Sequence, residues 1–254
     1  MEHEKLLRLA TELGCALLKN GAEIYRVEES VERVLTAYSV DDPQVFAIPT
    51  LLIVTLVDGE GRPHTQIKHL KSPGVNLSRI DELNDLCRSI CQKKPSPEQA
   101  LLEVSRLEQN PVYSESTQVF AFAITSFFFT LFFNGTMADA LCAALCGVVI
   151  RVSIHFMNRF ETNTFFRNIL ASAILAAIAM ATVHLGWGNN SDKIIIGALM
   201  TLVPGVMITN CMRDVMAGDL VASLVRLVEA LLIGTAIALG AGMAITAARM
   251  IWGV

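Results

Sequence analysis

Asn210, Arg213, Asp214 and Asp219 stand close together in a stretch that is otherwise apolar, Met200-Thr-Leu-Val-Pro-Gly-Val-Met-Ile-Thr-Asn-Cys-Met-Arg-Asp-Val-Met-Ala-Gly-Asp219. A guanidinium can hold a carboxylate through a paired set of hydrogen bonds. A carboxylate can receive an ammonium group, or carry a proton where burial raises its pKa. On a helix Arg213 and Asp214 point about 100° apart. Asn210 shares a face with Arg213 or Asp214, and Asp219 with Ser223 and Arg226. Pro204-Gly205 precedes them, a pair that removes a backbone donor and a side chain and so frees backbone groups at membrane depth. Ionisable groups beside such a break form a candidate substrate or ion pathway.

Other polar residues extend the candidate pathway. Asp139 lies at one end of an apolar run, where an interfacial position would also explain it. Arg226 and Glu229 are three residues apart inside the last apolar run and could neutralise each other. Near the N-terminus, Glu23, Tyr25, Arg26 and Glu28 could gate a cytosolic mouth or make a subunit contact. Helix-surface pairing also explains Glu23 with Arg26, and Tyr25 could pack beneath a hairpin. His64, His69 and His184 read as surface or packing histidines.

These residues need two kinds of support. The chain is 53% hydrophobic with a mean hydropathy of +0.49, above that of ordinary soluble domains. Residues 1–110 hold 13 Lys+Arg and 17 Asp+Glu, leaving 7 and 7 for residues 111–254. So uneven a split implies water around the first part and lipid around the second. The net charge of −4, without a basic tail, argues against a nucleic-acid partner. The six cysteines include two pairs spaced i,i+4 rather than as C-x-x-C, and no histidine set completes a zinc site. No P-loop or nucleophile elbow occurs, so no cofactor and no metal are expected.

Within residues 1–110, apolar periodicity predicts helices over 4–19 and from Ile24 to Tyr38, the second with a charged outer face. Leu51–Val57 and His64–Leu70 read as a hairpin around Asp58–Pro63. After Lys71-Ser-Pro-Gly74, helices are expected over Leu77–Cys91 and Pro97–Glu108, with Ser96 as N-cap. The expectation is a cytosolic α+β domain. From 111 to 254 an α-helical polytopic membrane domain is expected, with five transmembrane helices near 117–134, 137–157, 168–187, 194–212 and 221–247. Arg151, Arg159 and Arg167 cluster between the second and third spans, which puts that loop and the N-terminal domain inside and the C-terminus outside. Trp187 and Trp252 then fall at the outer interface. Ala171, Ser172, Ala176, Gly234, Gly240 and Gly242 permit close helix packing. The N-terminus lacks the features of a cleaved signal.

Gly21-Ala-Glu-Ile-Tyr-Arg-Val-Glu-Glu29, Phe133-Asn-Gly-Thr-Met-Ala-Asp139 and Pro204–Asp219 together resemble the threonine/serine exporter (ThrE) family, most closely its split form. There a YjjP-like subunit carries the cytosolic domain and five spans, and a small YjjB-like membrane subunit supplies the rest. Asn134 and Thr136 stand where the family's second motif usually has glycine and serine. The resemblance implies a subunit of a secondary exporter in the bacterial cytoplasmic (inner) membrane. It implies a small-molecule substrate, either an amino acid such as threonine or serine or a dicarboxylate such as succinate. Proton coupling would follow from a desolvated carboxylate. A rival reading makes residues 1–110 a membrane-tethered enzyme with Glu23, Glu28 and His64 as acid–base groups, and a third makes the chain a sensor or scaffold.

Overall fold

Leu6, Ala10, Leu13 and Leu17 repeat at helical spacing, and all are buried on one face of helix α1 (Glu2–Lys19). The same logic buries Ile24, Val27, Val31, Val34 and Leu35 on α2 (Ile24–Ala37). The computed structural model describes residues 2–70, 74–109, 113–159 and 163–252. The expected connector at Lys71–Pro73 and the boundary at Asn110-Pro111 lie outside those residues. Two compact units result: residues 1–112 with 205–228, and residues 113–204 with 229–254.

In the first unit α1 and α2 pack on an antiparallel sheet of order β1-β2-β3, formed by Gln44–Ile48, Leu51–Val57 and Pro63–His69. Leu52, Val54 and Leu56 of the central strand are buried against the helices. Alternation turns Ile53 the other way, in register with Phe46 and Ile67. The expected two-stranded hairpin is therefore one strand short. β1 has five residues on a sheet edge, too few for a clear alternating pattern, and Glu28 Oε1 accepts its Ala47 N–H at 2.8 Å. α3 (Leu77–Lys93), capped by Asn76, and α4 (Pro97–Gln109), with Ser96 Oγ accepting the Gln99 N–H, complete the layer.

The second unit holds α5 (Glu115–Phe132), α6 (Met137–Asn158), α7 (Thr164–His184), α8 (Ser191–Leu199) and the later part of α10 (Leu220–Trp252). Its core is small: Cys142, Ala143, Cys146, Ala176, Ala179 and Ala198, with Ile150, Leu175 and Ile194. Small residues let backbones approach. A Cβ on Gly240 of α10 would lie 2.1 Å from the Ile169 carbonyl of α7. Gly234 and Gly242, also expected to serve packing, have nothing within 4 Å of that position.

Among the described residues, four helices are long and apolar enough to cross a membrane, namely α5, α6, α7 and α10. The expected span near 194–212, interrupted at Pro204-Gly205, is two separate helices, α8 and α9 (Gly205–Ala217), with Met200–Pro204 between them. At 1.5 Å per residue they reach only about 14 and 20 Å, short of a hydrocarbon core of about 30 Å. The physical cause is Pro204, which lacks an N–H and disfavours helical geometry in the residue before it. The break falls at the boundary between units, with α9 belonging to the first. α10 has 33 residues, more than the expected 221–247 segment and about 50 Å of helix.

Candidate functional site

The loop between α1 and α2 is the socket of the site. Gly21 adopts φ +84°, and a side chain there would meet the Gly74 carbonyl at 2.6 Å. The turn ends α1 with the Ala22 N–H donating to the Leu17 carbonyl, and it leaves the Gly21 and Ala22 carbonyls pointing away from the helix. Glu23 is the N-cap of α2, but its side chain does not cap the helix.

Residues of α9 and the start of α10 fill that socket. Asn210 Nδ2 donates to Gly21 O at 2.9 Å, and Arg226 Nη2 donates to Ala22 O at 2.6 Å. The Ile24 N–H, first in α2, donates to Asp214 Oδ1 at 3.1 Å. A carboxylate 190 positions along the chain thus takes the N-capping role that Glu23 leaves open, where the helix dipole favours negative charge. Asp214 Oδ2 lies 3.2 Å from Arg226 Nε, which pairs the charges without an aligned hydrogen bond. Arg213 Nη1 reaches Glu23 Oε1 at 2.5 Å, and Arg26 Nε meets the other oxygen of Glu23 at 3.0 Å. Asp214 is fully buried, and Asn210, Arg226 and Glu23 nearly so.

The hairpin that presents these groups is set locally. Gly218 takes φ +96°, the Asp219 N–H donates to the Asp214 carbonyl, and Cys211 Sγ donates to the Ser223 carbonyl. Burial pushes the Asp214 carboxyl above the ordinary aspartate range, and the Arg226 charge and Ile24 N–H pull the other way. The Asp219 charge adds to the upward push. Glu28 is also raised, first by burial, against the opposing bond from Ala47 and with a further push from Asp219. Asp219 Oδ2 is buried without a hydrogen-bond partner among the described residues.

The expected site residues therefore separate into groups. Glu23, Arg26, Asn210, Arg213, Asp214 and Arg226 come together. Arg226 takes Asp214 and the Ala22 carbonyl as partners, whereas Glu229 falls in the other unit. Pro204 ends the break and Gly205 opens α9. Tyr25 lines a groove with Asn84 and Arg88 of α3, and its hydroxyl accepts from Arg26 Nε at 3.1 Å. The three acid–base candidates of the enzyme reading do not converge. Glu23 binds arginines, Glu28 binds Ala47, and His64 sits 2.8 Å from Asp58 in its own turn. That contact, followed by the Arg62 N–H, holds the Asp58 carboxyl down at about 2.

Asp139 belongs to a different construction in the second unit. Its Oδ1 accepts the N–H groups of Asn189 and Asn190 at 2.7 and 2.9 Å. Its Oδ2 accepts the Thr136 N–H and hydroxyl at 2.9 and 2.8 Å, and Thr136 in turn caps α6. Asn134 takes φ +60°, a conformation that asparagine and glycine tolerate, and Thr136 does the work of a serine. Asn189 and Asn190 went unnoticed in the sequence. Asn190 is legible there as a cap before Ser191, but its bond to Asp139 is not. At the opposite ends of these helices, Arg151 Nη2 donates to Glu115 at 2.7 Å, with His155 Nδ1 3.2 Å from the same oxygen.

The four apolar helices among the described residues, with a broken helical segment between two of them, are those of a polytopic membrane protein. The chain belongs to the ThrE family, described as "Putative threonine/serine exporter", whose model matches residues 8–248. It is 24% identical over 243 residues to the "Probable threonine/serine exporter" of Mycobacterium tuberculosis, covering 93% of this chain and 45% of that protein. It is 25% identical to the "Threonine/serine exporter" of Corynebacterium glutamicum, covering 94% and 50%. "Pheromone-regulated membrane protein 10" of Pichia sorbitophila is 25% identical, covering 90% of this chain and 24% of that one. The chain thus spans about half the length of the two bacterial relatives. No solved structure matches it significantly.

Proposed function

We propose that this chain is a subunit of a secondary-active exporter of small metabolites, working with a small YjjB-like membrane subunit in a bacterial cytoplasmic membrane. The family and the names of the two bacterial relatives support export, with threonine- and serine-type amino acids as the first solutes to test. A dicarboxylate such as succinate is the second. Membership of an exporter family favours transport over catalysis.

The observation that carries the reading is the knot of Asp214, Arg226, Arg213 and Glu23 on the first turn of α2, directly after the Met200–Pro204 break. Asp214 and Arg226 are already engaged with the protein, so their role is that of a gate that opens when those bonds exchange. Protonation of Asp214 removes its ion pair with Arg226 and the charge that caps α2, which is a direct route to proton coupling. Arg213, about half exposed beside buried Glu23, is the group placed to meet a solute carboxylate.

The membrane topology follows the same reading. Arg151 and Arg167 lie at the Glu115 end of the second unit, which the positive-inside rule assigns to the cytoplasm together with the N-terminal domain. α10 runs parallel to α7, with Gly240 against Ile169 and Trp252 stacked on His184 at 5.0 Å further along both helices. The C-terminus then lies at the other, outer end. The test is counterflow in proteoliposomes of this chain with and without its partner, over amino acids and dicarboxylates at two pH gradients. Threonine or serine counterflow that needs both subunits and collapses in Asp214→Ala is the expected result. Full activity of the double variant Arg213→Ala/Asp214→Asn would overturn the gate.

A further inference from the structure

A groove of about 880 Å³ lies between α2 and α3. Arg26 and Arg33 line it from α2 and Arg88 from α3. Each guanidinium is steadied by one carboxylate: Arg26 by Glu23, Arg33 by Glu29 at 2.6 Å, and Arg88 by Asp85. A guanidinium carries five N–H donors, so one carboxylate partner does not exhaust it. Glu29 and Glu32 line the same groove, and Asn84 adds an amide.

That lining has both signs, and the mixture selects a ligand chemistry. A polyanion would meet Glu29 and Glu32, and a simple cation would meet three arginines. A ligand with a carboxylate at one end and an ammonium at the other satisfies both sets. We propose that this groove is a binding site for a free zwitterionic amino acid, its carboxylate on the arginines and its ammonium on Glu29 or Glu32. The choice of threonine as probe rests on the exporter reading. Arg26 also bonds Glu23, which holds Arg213, so the groove adjoins the knot through one shared carboxylate.

The groove contains its own reporter. Cys91 lines it and is half-buried, whereas the other five cysteines are buried. Neighbouring Cys87 is inert at ordinary pH, because burial pushes its thiol up to about 12. The experiment measures maleimide alkylation of Cys91, by peptide mass spectrometry, in the full chain in detergent micelles. L-threonine at ten times its Kd is expected to slow labelling by about tenfold. The double variant Arg33→Ala/Arg88→Ala, which touches only exposed side chains, is expected to abolish that protection. Unchanged labelling with threonine overturns the site. Protection by inorganic phosphate equal to that by threonine overturns the zwitterion assignment, and protection that survives in the double variant overturns the arginines. Counterflow without Cys91 protection would leave the exporter standing and remove the groove. Protection without counterflow would do the reverse.

Discussion

Two buried aspartates, Asp139 in the second unit and Asp214 in the first, each accept backbone N–H groups from a distant part of the sequence, yet they are built differently. Asp139 is closed on four neutral donors shared among Thr136, Asn189 and Asn190. Asp214 has one aligned donor, one imperfect ion pair and a second carboxylate, Asp219, raising its energy. A carboxylate with every lone pair filled by neutral donors is a staple. One held by charge against burial can be released by a proton. The comparison separates a residue that fixes a loop from one that can switch.

The largest effect is expected at the switch. Asp214→Ala leaves Arg226 buried without its counter-charge, a loss of about 3–5 kcal/mol, read as a lowered unfolding temperature of the full chain in micelles. Little change would mean that the knot relaxes freely and is no gate. Asp139→Ala should come next, at about 1–3 kcal/mol in all, because its four donors belong to the exposed residues Thr136, Asn189 and Asn190 and can turn to solvent. Export per folded molecule should survive it; a specific loss of export would move Asp139 from staple to pathway. Thr136→Ala should cost about 1 kcal/mol through the lost helix cap, and Thr136→Ser close to nothing. Equal losses in both would show that the methyl group, not the hydroxyl, matters.

The smallest effect concerns pH and is the sharpest discriminator. With its pKa raised in the folded state, Asp214 binds a proton there before it does in the unfolded chain. Between the ordinary aspartate value of about 3.9 and the raised value, stability therefore falls as pH rises. Asp214→Asn should flatten that slope in thermal unfolding measured across mildly acidic pH. Asp139→Asn should lower stability and leave the slope in place. A slope unchanged in Asp214→Asn would assign the proton elsewhere, with Glu28 the first alternative because its pKa is also raised.

Local elements were legible wherever a periodic apolar pattern ran long enough. α1, α2, α3, α4 and the β2–β3 hairpin follow from it, as do α5, α6 and α7. β1 was not, because five residues on a sheet edge borrow one partner from Glu28 and have little periodicity of their own. Pro204 announced an interruption, but a hydropathy pattern cannot say whether a proline kinks a helix or ends it. Here it ends one helix and hands the next to the other unit. Asp214 and Arg226 stood out as charges in apolar sequence, whereas the Ile24 N–H and Ala22 carbonyl they bind carry no signal, since nearly every residue has both groups.

By itself the sequence determined the uneven split of charge between residues 1–110 and 111–254, the apolar helices, the break at Pro204 and the small set of charges that had to find partners, because these depend on residue type and spacing alone. The tertiary structure decided which partners they found. Asp214 caps a helix 190 positions away and Asp139 closes on a loop 50 positions on, contacts that depend on the folded path of the backbone. No local pattern encodes that path.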